Sequence, residues 1–335
     1  MTLAFVCGCA GTALLPDERA FIRDARPWGL ILFKRNVVDR AQLCALTDSF
    51  RDCLGRGDAP VLIDQEGGRV QRMGPPHWPA YPAAARFEAA RDPTRAAWLA
   101  ARLIAHDLRE VGITVDCAPV LDVADARTHA VIGSRAFSSA PERVAALGRA
   151  VSEGLLAGAV LPVVKHMPGH GRARADSHLE PPVVAASRAE LAARDFWPFA
   201  ALRDAPMAMS AHVVYSAIDP ASPATTSPIV VEEIMREAIG FDGLILSDDL
   251  SMKALRGPFA ERTRAVFAAG LDIALHCNGD LGEARAVAEA SPELAGASLR
   301  RAESALARIA GPPQPFDVEA ARAELEAMMP AASAA

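Results

Sequence analysis

The chain has 335 residues, a formal net charge of -6 and a mean hydropathy of +0.14. That length holds one large α/β unit or two smaller ones, with ample material for a core. The acidic balance, free of long charge runs, excludes the usual signals of a nucleic-acid or anionic-membrane partner.

The chain opens on an apolar stretch, Leu3 to Leu15, which Asp17, Glu18 and Arg19 cut short. Without a basic segment before it, this reads as a first strand rather than a signal peptide or lipid anchor. No run reaches the roughly 18 residues needed to span a bilayer. Eight strand-like runs follow one another: Leu3–Cys7, Gly29–Phe33, Pro60–Ile63, Thr114–Ala118, Leu161–Lys165, Pro206–Ala211, Gly243–Ser247 and Leu271–His276. Amphipathic stretches of helical period lie between most of them, clearest at Asp39–Leu54, Thr94–Val111, Ala140–Ala157, Arg188–Arg203, Val231–Ile239 and Pro258–Ala269. Alternation of this kind predicts an α/β fold with a parallel sheet. Eight repeats favour a single closed (β/α)8 barrel over an open sheet, since Gly8-Cys9-Ala10-Gly11 is a poor phosphate loop. The Pro312-Pro313-Gln314-Pro315 stretch ends the last barrel helix. Asp317 to Met329 reads as an extra C-terminal helix, and Pro330 to Ala335 as a frayed tail. No linker divides the chain, so residues 1–335 are expected to form one domain, the barrel over 1–315 and the helix and tail over 316–335. The six cysteines are scattered and form no C-x-x-C, which predicts core residues in a reducing cytoplasm rather than a metal site.

Polar residues concentrate at strand ends: Asp64 to Arg72 after the third, Asp122 after the fourth, Lys165 and His166 at the fifth, His212 after the sixth, Asp248 and Asp249 at the seventh. In a barrel these ends converge on one mouth. The densest stretch, Lys165 to Glu180, holds three histidines, a lysine and an aspartate. Its small residues, Gly169, Gly171, Ala173 and Ala175, predict a loop that closes over substrate. Strand alternation predicts that Lys165 and His166 face opposite ways, and likewise Asp248 and Asp249. Asp249 suits a helix N-cap. His170 reads as a loop brace, Asp122 and His212 as supports, and Glu66 as structural.

Five motifs together resemble the family 3 glycoside hydrolases, in particular their single-domain bacterial β-N-acetylglucosaminidases of cell-wall recycling. They are Asp64-Gln65-Glu66-Gly67-Gly68-Arg69-Val70-Gln71-Arg72, Ser134-Arg135-Ala136-Phe137, Lys165-His166-Met167-Pro168-Gly169-His170-Gly171, Asp176-Ser177-His178 and Leu246-Ser247-Asp248-Asp249-Leu250-Ser251-Met252. Met167 stands where phenylalanine is usual. The resemblance implies a retaining exo-enzyme that removes terminal N-acetylglucosamine from GlcNAc-1,6-anhydro-MurNAc muropeptides. It implies Asp248 as nucleophile and His178, oriented by Asp176, as acid and base. Asp64, Arg72, Arg135, Lys165 and His166 would hold the sugar. No cofactor or metal, no nucleic-acid or membrane partner, and a monomer are the corresponding expectations. A histidine can serve in that role, because it titrates near neutrality and a carboxylate on its other nitrogen steadies the imidazolium. Three rival readings remain open on the residues alone: a metal-dependent barrel hydrolase, a phosphorolytic glycosidase with the same site, and a sugar-binding barrel without catalysis.

Overall fold

The Val-, Ile- and Leu-rich runs form eight parallel strands that close into a barrel. They are β1 (Leu3–Gly8), β2 (Pro27–Leu32), β3 (Val61–Ile63), β4 (Val115–Asp116), β5 (Leu161–Met167), β6 (Met207–Ser210), β7 (Leu244–Asp249) and β8 (Ile273–His276). Sequence neighbours pair around the ring, and β8 closes on β1 with Phe5 opposite Ala274. The computed structural model describes residues 1–126, 128–174 and 181–330. The expected tail therefore lies outside the described residues from 331 onward.

Side chains along each strand divide into two apolar sets, as the pleat requires. Ala4, Val6, Leu62, Val115, Leu161, Val163, Met207, Leu244, Leu246, Ile273 and Leu275 fill the lumen. Phe5, Leu30, Leu32, Val61, Ile63, Val164, Ala208, Ile245 and Ala274 pack instead with the helical layer. Burying each of the Val, Leu, Ile, Phe and Met side chains stabilises by roughly 1.5–3 kcal/mol, so both faces of a strand stay apolar until its C-terminal end.

Several helices match their sequence signals closely: Arg40–Leu54, Pro93–Glu110, Pro141–Ala157 and Phe259–Ala268. Their starts have local causes. The Asp39 carboxylate accepts the Gln42 N–H at 2.9 Å, and Asp92 accepts that of Arg95 at 3.0 Å ahead of Pro93. The expected C-terminal helix is present at Val318–Met328, capped by Asp317 and tied to the Pro93–Glu110 helix by the Arg95–Glu324 pair at 2.8 Å.

Two elements differ from the sequence reading. The expected helix Arg188–Arg203 is two pieces, Arg188–Ala193 and Trp197–Ala201. Pro198 lacks an N–H, so it begins a first turn rather than continuing one. A helix at Pro16–Ala25 occupies the stretch whose acids seemed merely to end an apolar run. Glu18 there accepts the N–H groups of Ala10 and Leu15, each at 2.8 Å. After β8, helices Leu281–Ala290 and Gly296–Ala307 complete the layer, the second placing Ala302 and Ala305 in the lumen cluster with Trp28. Among the described residues no helix is long and apolar enough to cross a membrane.

Candidate active site

Carried past the last apolar layer, the period of two selects the floor of the mouth. Leu62, Val163, Leu246 and Leu275 point into the lumen. Two residues further on stand Asp64, Lys165, Asp248 and Cys277, and all four line one pocket of about 300 Å³. Arg72, Arg135, His166 and His170 complete its polar wall, while Ile31, Phe33, Met209 and Met252 add apolar surface. Six of the eight predicted site residues are thereby brought together: Asp64, Arg72, Arg135, Lys165, His166 and Asp248. The other two, Asp176 and His178, lie outside the described residues, as does the end of the loop expected to close.

Strict alternation fails at two places. Both Lys165 and His166 line the pocket. The peptide between them is cis. Asp249 lines the pocket beside Asp248, where the pairing of β7 with β8 slips between Leu246 and Asp249. The Asp249 carboxylate is nonetheless engaged locally, accepting the N–H of Ser251 at 3.0 Å and of Cys277 at 3.1 Å. It terminates the strand rather than capping a helix. Asp248 accepts the Asp249 N–H at 2.8 Å.

The wall is a chain of alternating charges. Arg72 meets Asp64 at 2.9 Å, and Asp64 meets Lys165 at 2.8 Å. Lys165 meets Glu66 at 2.6 Å, and Glu66 takes Arg135 in a two-pronged contact with both distances 2.8 Å. Arg135 then approaches Nε2 of His166 at 3.5 Å, whose Nδ1 lies 2.7 Å from Asp122. With the Asp122 carboxylate as acceptor, Nδ1 carries the proton and Nε2 faces the pocket as an acceptor; this tautomer follows from the network. Burial alone would raise the Asp64 carboxyl, but Lys165 and Arg72 hold it well below the usual carboxylate range. The Glu66 carboxyl is likewise lowered against its burial by Lys165 and Arg135. Asp122 is held at about 2, its burial overcome by His166. Burial would strip the Lys165 proton, yet Asp64 and Glu66 push its pKa above the ordinary value. The wall is therefore ionised and pre-set, with donors and acceptors fixed before a ligand arrives.

The local sequence explains how this wall is built. Asp64 leads into a hairpin, Gln65–Gly67 against Val70–Gln71. Gly67 has φ +89°, and a Cβ there would meet the Pro82 carbonyl at 2.3 Å. The buried Gln65 side chain accepts the N–H of Arg72 at 2.9 Å and of Met73 at 3.0 Å, which returns Arg72 to Asp64. Gly171 lets the loop after β5 pass the Val123 backbone, whose carbonyl a Cβ would meet at 2.0 Å. Gln65 and Glu66 are parts of the site that residue-by-residue reading undervalued. Their motif drew notice, but their partners lie across the mouth. Asp122 and His212 are supports as expected in placement: Asp122 holds His166, and the buried His212 reaches the Asp249 carbonyl at 3.0 Å.

His170 differs from a simple brace, since its ring lines the pocket and stacks edge-on against His166 with centroids 5.8 Å apart. Burial lowers its pKa to about 4, with His166 acting in the same direction and Asp122 and Asp248 opposing. An unfolded chain would protonate this ring near 6.5. The folded state resists protonation until about 4. The stability it contributes is thus full above pH 6.5 and is lost as pH falls toward 4. Thermal melts between pH 7 and 5 should accordingly show a steeper loss in the wild type than in His170→Gln.

Among the described residues, the one His/Asp/Glu group close enough to share a metal ion is His106, Asp107 and Glu110. None of the three lines the pocket, and Arg40 already pairs with Asp107 at 3.7 Å and with Glu110.

The chain matches the family model described as the glycosyl hydrolase family 3 N terminal domain over residues 12–310. A β-hexosaminidase of Methylococcus capsulatus is 43% identical over 273 residues, covering 80% of this chain and 80% of its own. One from Bordetella pertussis is 38% identical over 312 residues, covering 90% and 88%. Among solved structures, NagZ from Neisseria gonorrhoeae in complex with N-trifluoroacetyl-D-glucosamine is similar with a TM-score of 0.86 and 32% identity, each chain covered over 98%.

Proposed function

The chain belongs to glycosyl hydrolase family 3 and is a β-N-acetylhexosaminidase, and on that premise we propose that it removes terminal N-acetylglucosamine with retention, through a covalent glycosyl–Asp248 intermediate. The observation that carries this reading is the position of Asp248. It lies near the end of β7, in phase with the lumen-facing Leu246, and shares its pocket with a wall of fixed ionic donors and acceptors. A sugar's hydroxyl groups match such a wall, since charge-assisted hydrogen bonds to Asp64, Arg72, Arg135, Lys165 and Nε2 of His166 fix the ring in one pose. Holding the anomeric carbon over one carboxylate converts an encounter into a positioned displacement.

Retention needs a nucleophile and a second group that first gives a proton to the leaving oxygen and then takes one from water. Among the described residues the pocket's remaining carboxylates are committed: Asp64 to Lys165 and Arg72, Asp249 to its own turn. The proposal gives the second role to His178, oriented by Asp176, on the strength of the sequence motif. The chemical sequence is then explicit. Asp248 attacks C1 as the leaving oxygen receives the His178 proton. His178 next accepts a proton from water as that water attacks C1 and frees Asp248. The aglycone proposed is the anhydro-muramyl part of muropeptides, acted on in the cytoplasm; support for both comes from the family motifs.

Release of nitrophenol from the N-acetyl-β-glucosaminide and from the plain β-glucoside tests the reading. Strong preference for the N-acetyl substrate, full activity with a chelator present and no dependence on phosphate are expected. Loss of activity with the chelator would favour a metal-dependent hydrolase, sugar-1-phosphate formation a phosphorylase, and binding without cleavage a sugar-binding barrel.

A further inference from the structure

We infer that Glu66 is a positioning residue of the sugar pocket: it does not line the pocket, yet its single buried carboxylate fixes the two cations, Arg135 and Lys165, that do. The inference rests on the reading of this pocket as a sugar site. Three contacts converge on one group. Both Glu66 oxygens engage Arg135 at 2.8 Å, one taking Nε and the other Nη2, and Oε1 also meets Lys165 Nζ at 2.6 Å. The Glu66 side chain is 6% exposed, that of Lys165 2% and that of Arg135 12%.

The geometry explains why one acid serves both cations. A guanidinium gripped on its Nε edge cannot rotate about its long axis, so its remaining face has a fixed aim. Arg135 directs Nη1 to the Val131 carbonyl at 3.1 Å, while Nη2, already held by Glu66, also lies 3.5 Å from Nε2 of His166. Lys165, by contrast, has three rotatable donors. Asp64 holds one from within the pocket and Glu66 holds another from behind. Glu66 itself lies on the first strand of the hairpin, Gln65–Gly67, and its backbone neighbour Gln65 is tied to Asp116 by an N–H contact at 3.0 Å. Removing the charge leaves Lys165 with Asp64, which Arg72 already shares, and takes the carboxylate away from Arg135. Lys165 would turn further toward Asp64, and Arg135 would lose the contact that sets its plane. Sugar affinity would fall through residues that Glu66 merely holds.

Glu66→Gln keeps the shape and removes the charge. Its affinity for N-acetylglucosamine by calorimetry, and its kcat and KM on the chromogenic N-acetyl-β-glucosaminide, are to be compared with wild type. Binding should weaken by about tenfold or more, with KM rising by a similar factor and kcat falling less. Asp272→Asn supplies the control, because Asp272 is an equally buried acid bridging Arg236 at 2.7 Å and Arg301 at 3.0 Å with no place in the pocket. That variant should lose thermal stability and keep wild-type affinity. Glu66→Gln behaving like it, destabilised with unchanged affinity and KM, would overturn the inference. If Glu66→Gln does not fold, Glu66→Asp keeps the charge but is one methylene too short to reach both cations. Intermediate KM and affinity in that variant support the inference, and wild-type values overturn it. A wild-type protein that neither binds nor cleaves the sugar would instead remove the underlying reading of the pocket, which the same assay records separately.

Discussion

Replacing Asp248 by alanine is expected to lower kcat on the chromogenic N-acetyl-β-glucosaminide by about ten-thousand-fold or more, with N-acetylglucosamine still bound. Two roles for this residue predict results of different size. As a local structural acid it accepts the Asp249 N–H at 2.8 Å, and loss of such a contact costs about 1 kcal/mol of stability with little effect on rate. As a nucleophile it lowers the barrier of the first step directly. A ten-thousand-fold loss corresponds to about 5.5 kcal/mol of transition-state stabilisation. The gap between about 1 and about 5.5 kcal/mol is wide enough for one variant to decide. The readout pairs rate with a melting temperature and with binding of the product sugar. A variant that melts a few degrees lower yet turns over within tenfold of wild type would remove Asp248 from the chemistry. Retained binding matters because the affinity belongs to the ionic wall, which does not run through Asp248.

The floor of this site was legible because strand periodicity and barrel closure are both short-range rules. Leu62 to Asp64, Val163 to Lys165 and Leu246 to Asp248 are each two residues apart, so an apolar lumen face carried upward must end on these three side chains. Eight apolar runs with helices between them were enough to expect their convergence. The wall was less legible. Glu66 and Arg135 are 69 residues apart, on a hairpin and on a turn that carry no shared period. Their motifs, recognised as family signatures, located them without showing that one serves the other. His166 escaped the alternation rule because its orientation is read from a distant partner: the Asp122 carboxylate, 44 residues away, holds its ring at the pocket wall. The helix Arg188–Arg203 was misread as continuous because its amphipathic spacing persists on both sides of Pro198, whereas hydrogen bonding does not. Glu18 was misread because a charge that ends an apolar run and one that caps a helix look identical until the chain's return brings the Ala10 N–H to it.

His178→Ala should divide substrates by their leaving groups. General acid catalysis contributes about a hundred- to ten-thousand-fold when the departing oxygen is a poor leaving group. A sugar alkoxide needs that proton, whereas a nitrophenolate departs as a stable anion without it. The variant should therefore lose its activity on a disaccharide almost completely while still forming the glycosyl–Asp248 intermediate from the nitrophenyl glycoside. The second step suffers on either substrate, since water must still be deprotonated. The consequence is a burst of nitrophenol followed by slow turnover, with a lowered KM as the intermediate accumulates. Azide is a nucleophile that arrives already deprotonated. Added to the variant, it should restore turnover and yield the β-glycosyl azide, whose configuration also reports retention. The nearby histidines provide the contrast that makes the assignment specific. His166 is tied to Asp122 at 2.7 Å, and burial keeps His170 neutral until about pH 4. His166 is engaged by Asp122 and Arg135 in the wall, and His170 stays neutral near neutrality, so their substitution should affect KM without azide rescue. Equal losses on both substrates in His178→Ala, with no burst and no response to azide, would take the acid and base role away from it.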